Sequence, residues 1–103
     1  MMTEFTNITK FDRFIHEPAR MAIMAVLSAC ESADFAYLLN ATELSKGNLS
    51  AQLKKLKEAD YVIINKGFKG NYPHTDCALT QEGRKAFKYY KKQYLSLAKE
   101  FAK

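Results

Sequence analysis

At 103 residues, 48% of them hydrophobic with only 4 Gly and 2 Pro, the chain has the size and composition of a single folded domain, so one folded unit is expected and not a disordered or fibrous chain. The longest apolar run, Met21 to Leu27 and on through Ala29 and Cys30, is about half of the roughly 20 residues that cross a bilayer, and no basic-then-apolar pattern opens the chain, so a cytoplasmic protein is expected. The net charge of +5 is uneven: residues 1–45 carry three basic side chains against six acidic, residues 46–92 eleven against four, which suits a polyanion-binding face and equally a solvated lysine-rich helix.

Residues 1–16 read as an arm. Phe5, Ile8, Phe11 and Ile15 stand near helical spacing, which predicts a short amphipathic helix from Thr3 to Ile15 with more apolar surface than a loose tail needs. Glu17 and Pro18 open the next helix, because the fixed φ and missing N–H of proline suit the first helical position. It is expected to run to about Glu31, with Ile23, Val26, Leu27 and Cys30 on one stripe. Asp34 caps a short helix from Phe35 to Asn40, followed by a turn at Asn40 and Ala41. Ser45 caps a third helix running through Ala59. Its apolar positions are Leu49, Leu53 and Leu56, and the rest of its surface is Asn48, Ser50, Gln52, Lys54, Lys55 and Lys57. One face is built for a core and the other for a polar partner.

Beyond Asp60 the pattern becomes that of a strand, Tyr61 to Ile64, then a turn from Lys66 to Asn71 with Gly67 and Gly70, then a return strand from Pro73 to Leu79. The tip of this hairpin is Lys66, Phe68, Lys69, Asn71 and Tyr72. Thr80 caps a last helix that starts near Gln81 and runs almost to the end. In it Gly83, Phe87, Tyr90, Tyr94, Leu97 and Phe101 recur at alternating steps of four and three, the spacing of a helix packed on another helix.

Three helices, a β-hairpin and a long helix, in that order, predict an α+β fold, mainly α: a winged helix-turn-helix. The core is residues 17–80, flanked by the arm at 1–16 and by a dimerisation helix at 81–103. The strings Glu17-Pro18-Ala19-Arg20-Met21-Ala22-Ile23-Met24, Lys46-Gly47-Asn48-Leu49-Ser50, Glu58-Ala59-Asp60-Tyr61-Val62 and Leu79-Thr80-Gln81-Glu82-Gly83-Arg84 make the chain, over roughly residues 16–92, resemble the MarR/ArsR-like winged-helix transcriptional regulators. The resemblance implies a third helix in the major groove of double-stranded DNA, a wing at the minor groove or backbone, and a homodimer formed by terminal helices. On this chain that assigns base contacts to Asn48, Ser50, Gln52 and Lys55, phosphate contacts to Lys46, Lys54 and Lys57, and wing contacts to Lys66, Lys69 and Asn71. The dimer seam falls on Phe5, Ile8, Phe87, Tyr90, Tyr94, Leu97 and Phe101. The chain departs from the arginine-rich wing tip of these regulators, offering Gly70-Asn71-Tyr72-Pro73-His74, so backbone contact replaces minor-groove reading by an inserted arginine as the expectation.

No nucleophile–base pair, carboxylate pair or phosphate loop suggests an enzyme. Cys30 and Cys77 lack metal or disulfide spacing and read as reduced core thiols, and His16 and His74 have no second ligand nearby, so neither a metal nor a cofactor is expected. A small-molecule effector is unsupported by any residue pattern and, in a chain this short, belongs at the dimer interface. The rival reading is a winged helix that binds protein, which calls for apolar residues on the outer face of the third helix, where this chain has Asn48, Ser50, Gln52 and lysines. Single-strand or RNA binding needs exposed stacking platforms, and only Phe68 and Tyr72 qualify.

Overall fold

A computed structural model describes residues 8–103. Helix α1 spans Pro18–Ser28, with the Glu17 carboxylate accepting from the Arg20 backbone N–H at 2.8 Å as its N-cap. It ends three residues short of Glu31 because the N–H groups of Ala29 and Cys30 turn to the carbonyls of Val26 and Leu27, tightening the last turn. Strand β1 is the pair Ala33–Asp34, and Asp34 then caps helix α2, Phe35–Thr42, by accepting from the Tyr37 N–H at 2.7 Å. This helix continues two residues past Asn40. The Thr42 hydroxyl donates to the Leu38 carbonyl, and the stop comes from Glu43 in the left-handed region at φ 55°.

Ser45 caps helix α3, Lys46–Glu58, and its three leucines are buried. The exit from α3 explains the Asp60-Tyr61 pair. Asp60 takes φ 64°, its N–H bonds to the Lys57 carbonyl, and the Tyr61 N–H reaches back to the Leu56 carbonyl, a Schellman end that drops Tyr61 onto the core side. Strands β2 (Val62–Lys69) and β3 (Tyr72–Leu79) pair antiparallel from Val62↔Leu79 to Lys69↔Tyr72. The hairpin is therefore longer than its sequence suggests: Gly67 lies within β2 opposite His74, and the turn is only Gly70 and Asn71, with Gly70 at φ 63°. The missed length has a plain cause, since β2 beyond Ile64 is exposed on both faces and carries no apolar alternation. β1 pairs with the other edge of β3, giving the order β1-β3-β2; two residues show no periodicity to read.

Thr80 caps helix α4, Gln81–Phe101, through the Gly83 N–H at 2.9 Å. The expected arm helix is not formed within the described residues: 8–10 make a single 3₁₀ turn, and the Asp12 carboxylate captures the N–H groups of Phe14 and Ile15. Phe11 and Ile15 are nevertheless buried, one turn apart, in the core formed by α1, α2, α3, the base of the sheet and α4. Cys77 sits in that core and Cys30 lies half-buried beyond the end of α1, so one of the two expected core thiols is displaced from the interior.

A Cβ at Gly83 stands 2.2 Å from the Tyr61 carbonyl oxygen, a backbone atom that also accepts from the Thr80 N–H, so nothing there can yield cheaply. Gly83→Ala is expected to destabilise the fold by about 1–3 kcal/mol in urea denaturation despite the better helix propensity of alanine. Burial, then the nearby Asp76, pushes the Cys77 thiol up to about 11 from 9.0, and burial, then the Asp12 bond, pushes Tyr61 up to about 12 from 10.0. Both raised values favour the protonated form in the folded state, so that stabilisation is complete below pH 9 and is lost as pH rises through about 9–12. The urea midpoint should fall across that window, and Cys77→Ala should flatten the part between pH 9 and 11.

Candidate nucleic-acid interface

The leucines on one side of α3 dictate what the other side shows. With successive residues 100° apart, burying Leu49, Leu53 and Leu56 turns Gly47, Ala51, Lys54, Lys55 and Glu58 outermost, puts Lys46, Ser50 and Lys57 on the flank toward the wing, and puts Asn48 and Gln52 on the flank toward α1. Lys46, Asn48, Ser50, Lys54, Lys55 and Lys57 are all exposed, and Gln52 is half-buried. Ser45 and the helix N-terminus face the same solvent as Asn48, whose N–H is the one that Ser45 satisfies at 3.1 Å. Gly47 and Ala51 escape a reading that looks only for hydrogen-bonding side chains. Their small size at the crown lets the helix axis come close to a partner surface.

Between α3 and the wing lies an open groove of about 750 Å³ lined by Phe35, Ser50, Leu53, Lys54, Lys57, Ile64, Lys66 and Thr75. Strand alternation brings Lys66 to the same sheet face as Ile64 and Thr75, so three lysines from two elements line one furrow with an apolar floor. Lys69 and Asn71 lie elsewhere: Lys69 alternates to the opposite face, paired with Tyr72, and Asn71 is in the turn. Phe68 and Tyr72, 76% and 79% exposed, mark the distal wing. On its outer face His74 Nε2 and Asp76 Oδ1 are 3.0 Å apart.

A residue that sequence reading missed joins the other flank of α3 to the arm. Arg20 of α1 donates from Nη1 to Gln52 Oε1 at 2.6 Å and from Nε to the Phe14 carbonyl at 2.6 Å, while Gln52 Nε2 donates to Asn48 Oδ1 at 2.9 Å. Nothing local signals this contact, since its partners are 32 residues apart in the chain. Gln52 therefore departs from the expected free base reader; both ends of its amide are engaged within the chain.

The heptad spacing of α4 requires a correction. The buried stripe is Gly83, Phe87, Tyr90, Gln93 and Leu97, and it faces the protomer itself. Tyr90 packs edge-on against Phe11 and shares a hydrogen bond of 2.8 Å with His16 Nδ1, so Phe87, Tyr90 and Leu97 are core residues and not an open seam. A single amphipathic stripe covers one neighbour, and the arm and α1 have taken it. Tyr94 at 46% and Leu95 at 61% stand on the outer side, next to an apolar hollow of about 210 Å³ that they share with Met21, Ala25, Phe87, Tyr90 and Lys91. Ile8 and Phe101 are exposed as well, and Phe5 lies outside the described residues.

A family model described as winged helix DNA-binding domain matches residues 19–101, from α1 to the end of α4. The chain belongs to that family. A protein of Methanocaldococcus jannaschii, the uncharacterized MJ0432, is 34% identical over 87 residues, covering 84% of this chain and 95% of its own length. Among solved structures the winged helix is shared with a transcriptional regulator homologue from Pyrococcus horikoshii OT3 at a TM-score of 0.85 and 23% identity, covering 97% of this chain and 98% of that one. A MarR-family transcriptional regulator from Enterococcus faecalis V583 matches at a TM-score of 0.76 and 16% identity over 99% and 91% of the two chains. The fold is that of the MarR-like winged helix, four helices with a three-stranded antiparallel sheet. Among the described residues no helix is long and apolar enough to cross a membrane, and no three His, Cys, Asp or Glu side chains gather where a metal could sit.

In a winged helix of the DNA-binding family, a furrow with three lysines has the right sign for a phosphate strand. Lys54→Ala should weaken binding to every duplex alike and lower the slope of log K against log salt by about 1. Fluorescence anisotropy of labelled duplexes over a potassium chloride series reads both quantities.

Proposed function

We propose that the chain is a sequence-specific double-stranded DNA-binding transcriptional regulator that acts in the cytoplasm as a homodimer and represses by occupying a pseudo-palindromic operator. The observation that carries this reading is the outer surface of α3: polar and lysine-bearing along its length, continuous with the basic furrow under the wing, on a chain of the winged helix DNA-binding family. α3 enters the major groove, Asn48, Ser50 and Lys55 meet base edges, Lys54, Lys57 and Lys66 hold the backbone between the grooves, and Lys46 reaches a flanking phosphate. The wing, with Lys69 and Asn71 at its end and no arginine, touches sugar and phosphate.

Tyr94 and Leu95 support the homodimer. Large apolar side chains rimming an apolar hollow on the longest helix form the surface that a second copy covers. Two-fold pairing there sets two α3 helices in successive major grooves about 34 Å apart. The function needs no metal, cofactor or catalytic residue.

Selection of bound sites from a random duplex pool at two salt concentrations, with the solution mass measured alongside, tests the whole reading. A palindromic motif bound by a dimer, with affinity falling steeply as salt rises, is expected; absence of enrichment and of binding at low salt overturns it in favour of a protein partner. Tyr94→Asp places a charge on an exposed site, so the fold should survive while the mass halves and specific affinity drops. A dimer that persists in Tyr94→Asp moves the interface to another surface.

A further inference from the structure

Arg20 occupies the first turn of α1, its side chain only 12% exposed, and its guanidinium is held by the Phe14 and Arg13 carbonyls with the Glu17 carboxylate 3.9 Å away. A guanidinium has donors and no acceptor. The Gln52 atom that meets Nη1 at 2.6 Å is therefore the carbonyl oxygen, and the Gln52 nitrogen is turned away from α1, where it meets Asn48 one helical turn back at 2.9 Å. An amide nitrogen only donates, so the Asn48 atom facing it is Oδ1. Asn48, which could present either end of its carboxamide, is left with its NH₂ as the free end. Two ambiguous amides take one orientation because a donor-only group stands at the head of the series.

We propose that Arg20, Gln52 and Asn48 form a specificity relay that fixes Asn48 to present hydrogen-bond donors to the major groove. It rests on the DNA-binding reading above. At the base pair Asn48 faces, the preferred edge offers acceptors, guanine with O6 and N7 or thymine with O4, and the donor edge of cytosine is rejected. The bidentate contact that asparagine makes with adenine needs Oδ1 and Nδ2 turned together to the base, and the bond from Gln52 turns Oδ1 along the helix. Asn48 is the base-contacting residue. Arg20 and Gln52 are positioning residues that act through it. The hydrogen bonds run from the arm through α1 to α3, so the arm conformation and the base preference share one network.

Gln52→Glu separates this relay from a merely structural tie. Glutamate still accepts from Arg20 but has no N–H for Asn48; the Asn48 NH₂ then swings to the glutamate and Oδ1 turns outward. Site selection from a random duplex pool with the full-length wild type should give one column per half-site that favours G or T and that flattens in Asn48→Ala. In Gln52→Glu the same column should invert toward C or A, whose edges carry donors, with a change in base ratio of roughly tenfold or more. Arg20→Met, which frees Gln52, should blur that column and leave the others as they are. A wild-type column that favours C or A, or one unchanged in Gln52→Glu, overturns the relay while the regulator reading stands. A wild type that enriches no motif overturns the DNA reading itself. Without DNA, the side-chain amide signals of Asn48 in ¹⁵N–¹H spectra should shift in Gln52→Glu at an unchanged thermal midpoint and in Arg20→Met below its own midpoint, and unmoved signals overturn the relay whatever the selection shows.

Discussion

Leu49, Leu53 and Leu56 insert one side of α3 between α1 and the base of the sheet, and the placement of every polar group on that helix depends on this burial. Each fully buried leucine contributes on the order of 1.5–3 kcal/mol, more than any single exposed lysine or asparagine can. The apolar stripe therefore sets the rotation of the helix, and the polar residues take whatever directions remain. The outermost of those directions carry Gly47, Ala51, Glu58 and two lysines, with hydrogen-bonding side chains on both flanks. The furrow follows from the same constraint, because seating α3 on β2 leaves the strand's extension standing free as a wing beside it.

The segment before α1 works as a strut. Phe11 and Ile15 are buried, the Tyr61 hydroxyl donates to the Asp12 carboxylate, Phe14 meets the Tyr61 ring edge-on, and His16 bonds with Tyr90. Those contacts touch the end of α3, the start of β2 and the middle of α4. Arg20, at the base of the strut, carries the connection to the flank of α3 that holds Asn48 and Gln52. Elements that a dimer would hold and elements that a duplex would hold are thus joined by short hydrogen bonds and ring contacts within one small core.

The readable features were local ones. Asp34, Ser45 and Thr80 cap helices where their sequence placed them, because an N-cap depends on a side chain and an N–H three residues away. The leucine ladder of α3 was legible for the same reason: spacing four and three specifies a stripe without knowledge of its neighbour. The arm shows the opposite case. Its apolar spacing was helical, yet Asp12 competes for the backbone N–H groups and the tertiary contacts of Phe11 and Ile15 hold the segment in turns. The distal wing has no alternation to read, and its strand length is dictated by pairing partner, not by burial.

Taken alone, the amino-acid sequence determines the winged-helix order of elements, the uneven charge and the identity of the polar face of α3, since all three depend on composition, period and caps. Only the tertiary structure decides which neighbour each stripe meets. The α4 stripe could serve a partner or the chain's own core with the same spacing, and packing against the arm and α1 assigns Phe87 and Tyr90 to the core while leaving Tyr94 outside. Arg20 and Gln52 lie 32 residues apart, and whether a carboxamide offers oxygen or nitrogen outward is set by what stands beside it. A period fixes direction around a helix axis; the partner across a contact, and with it the end of an amide that remains free, is a property of the folded chain.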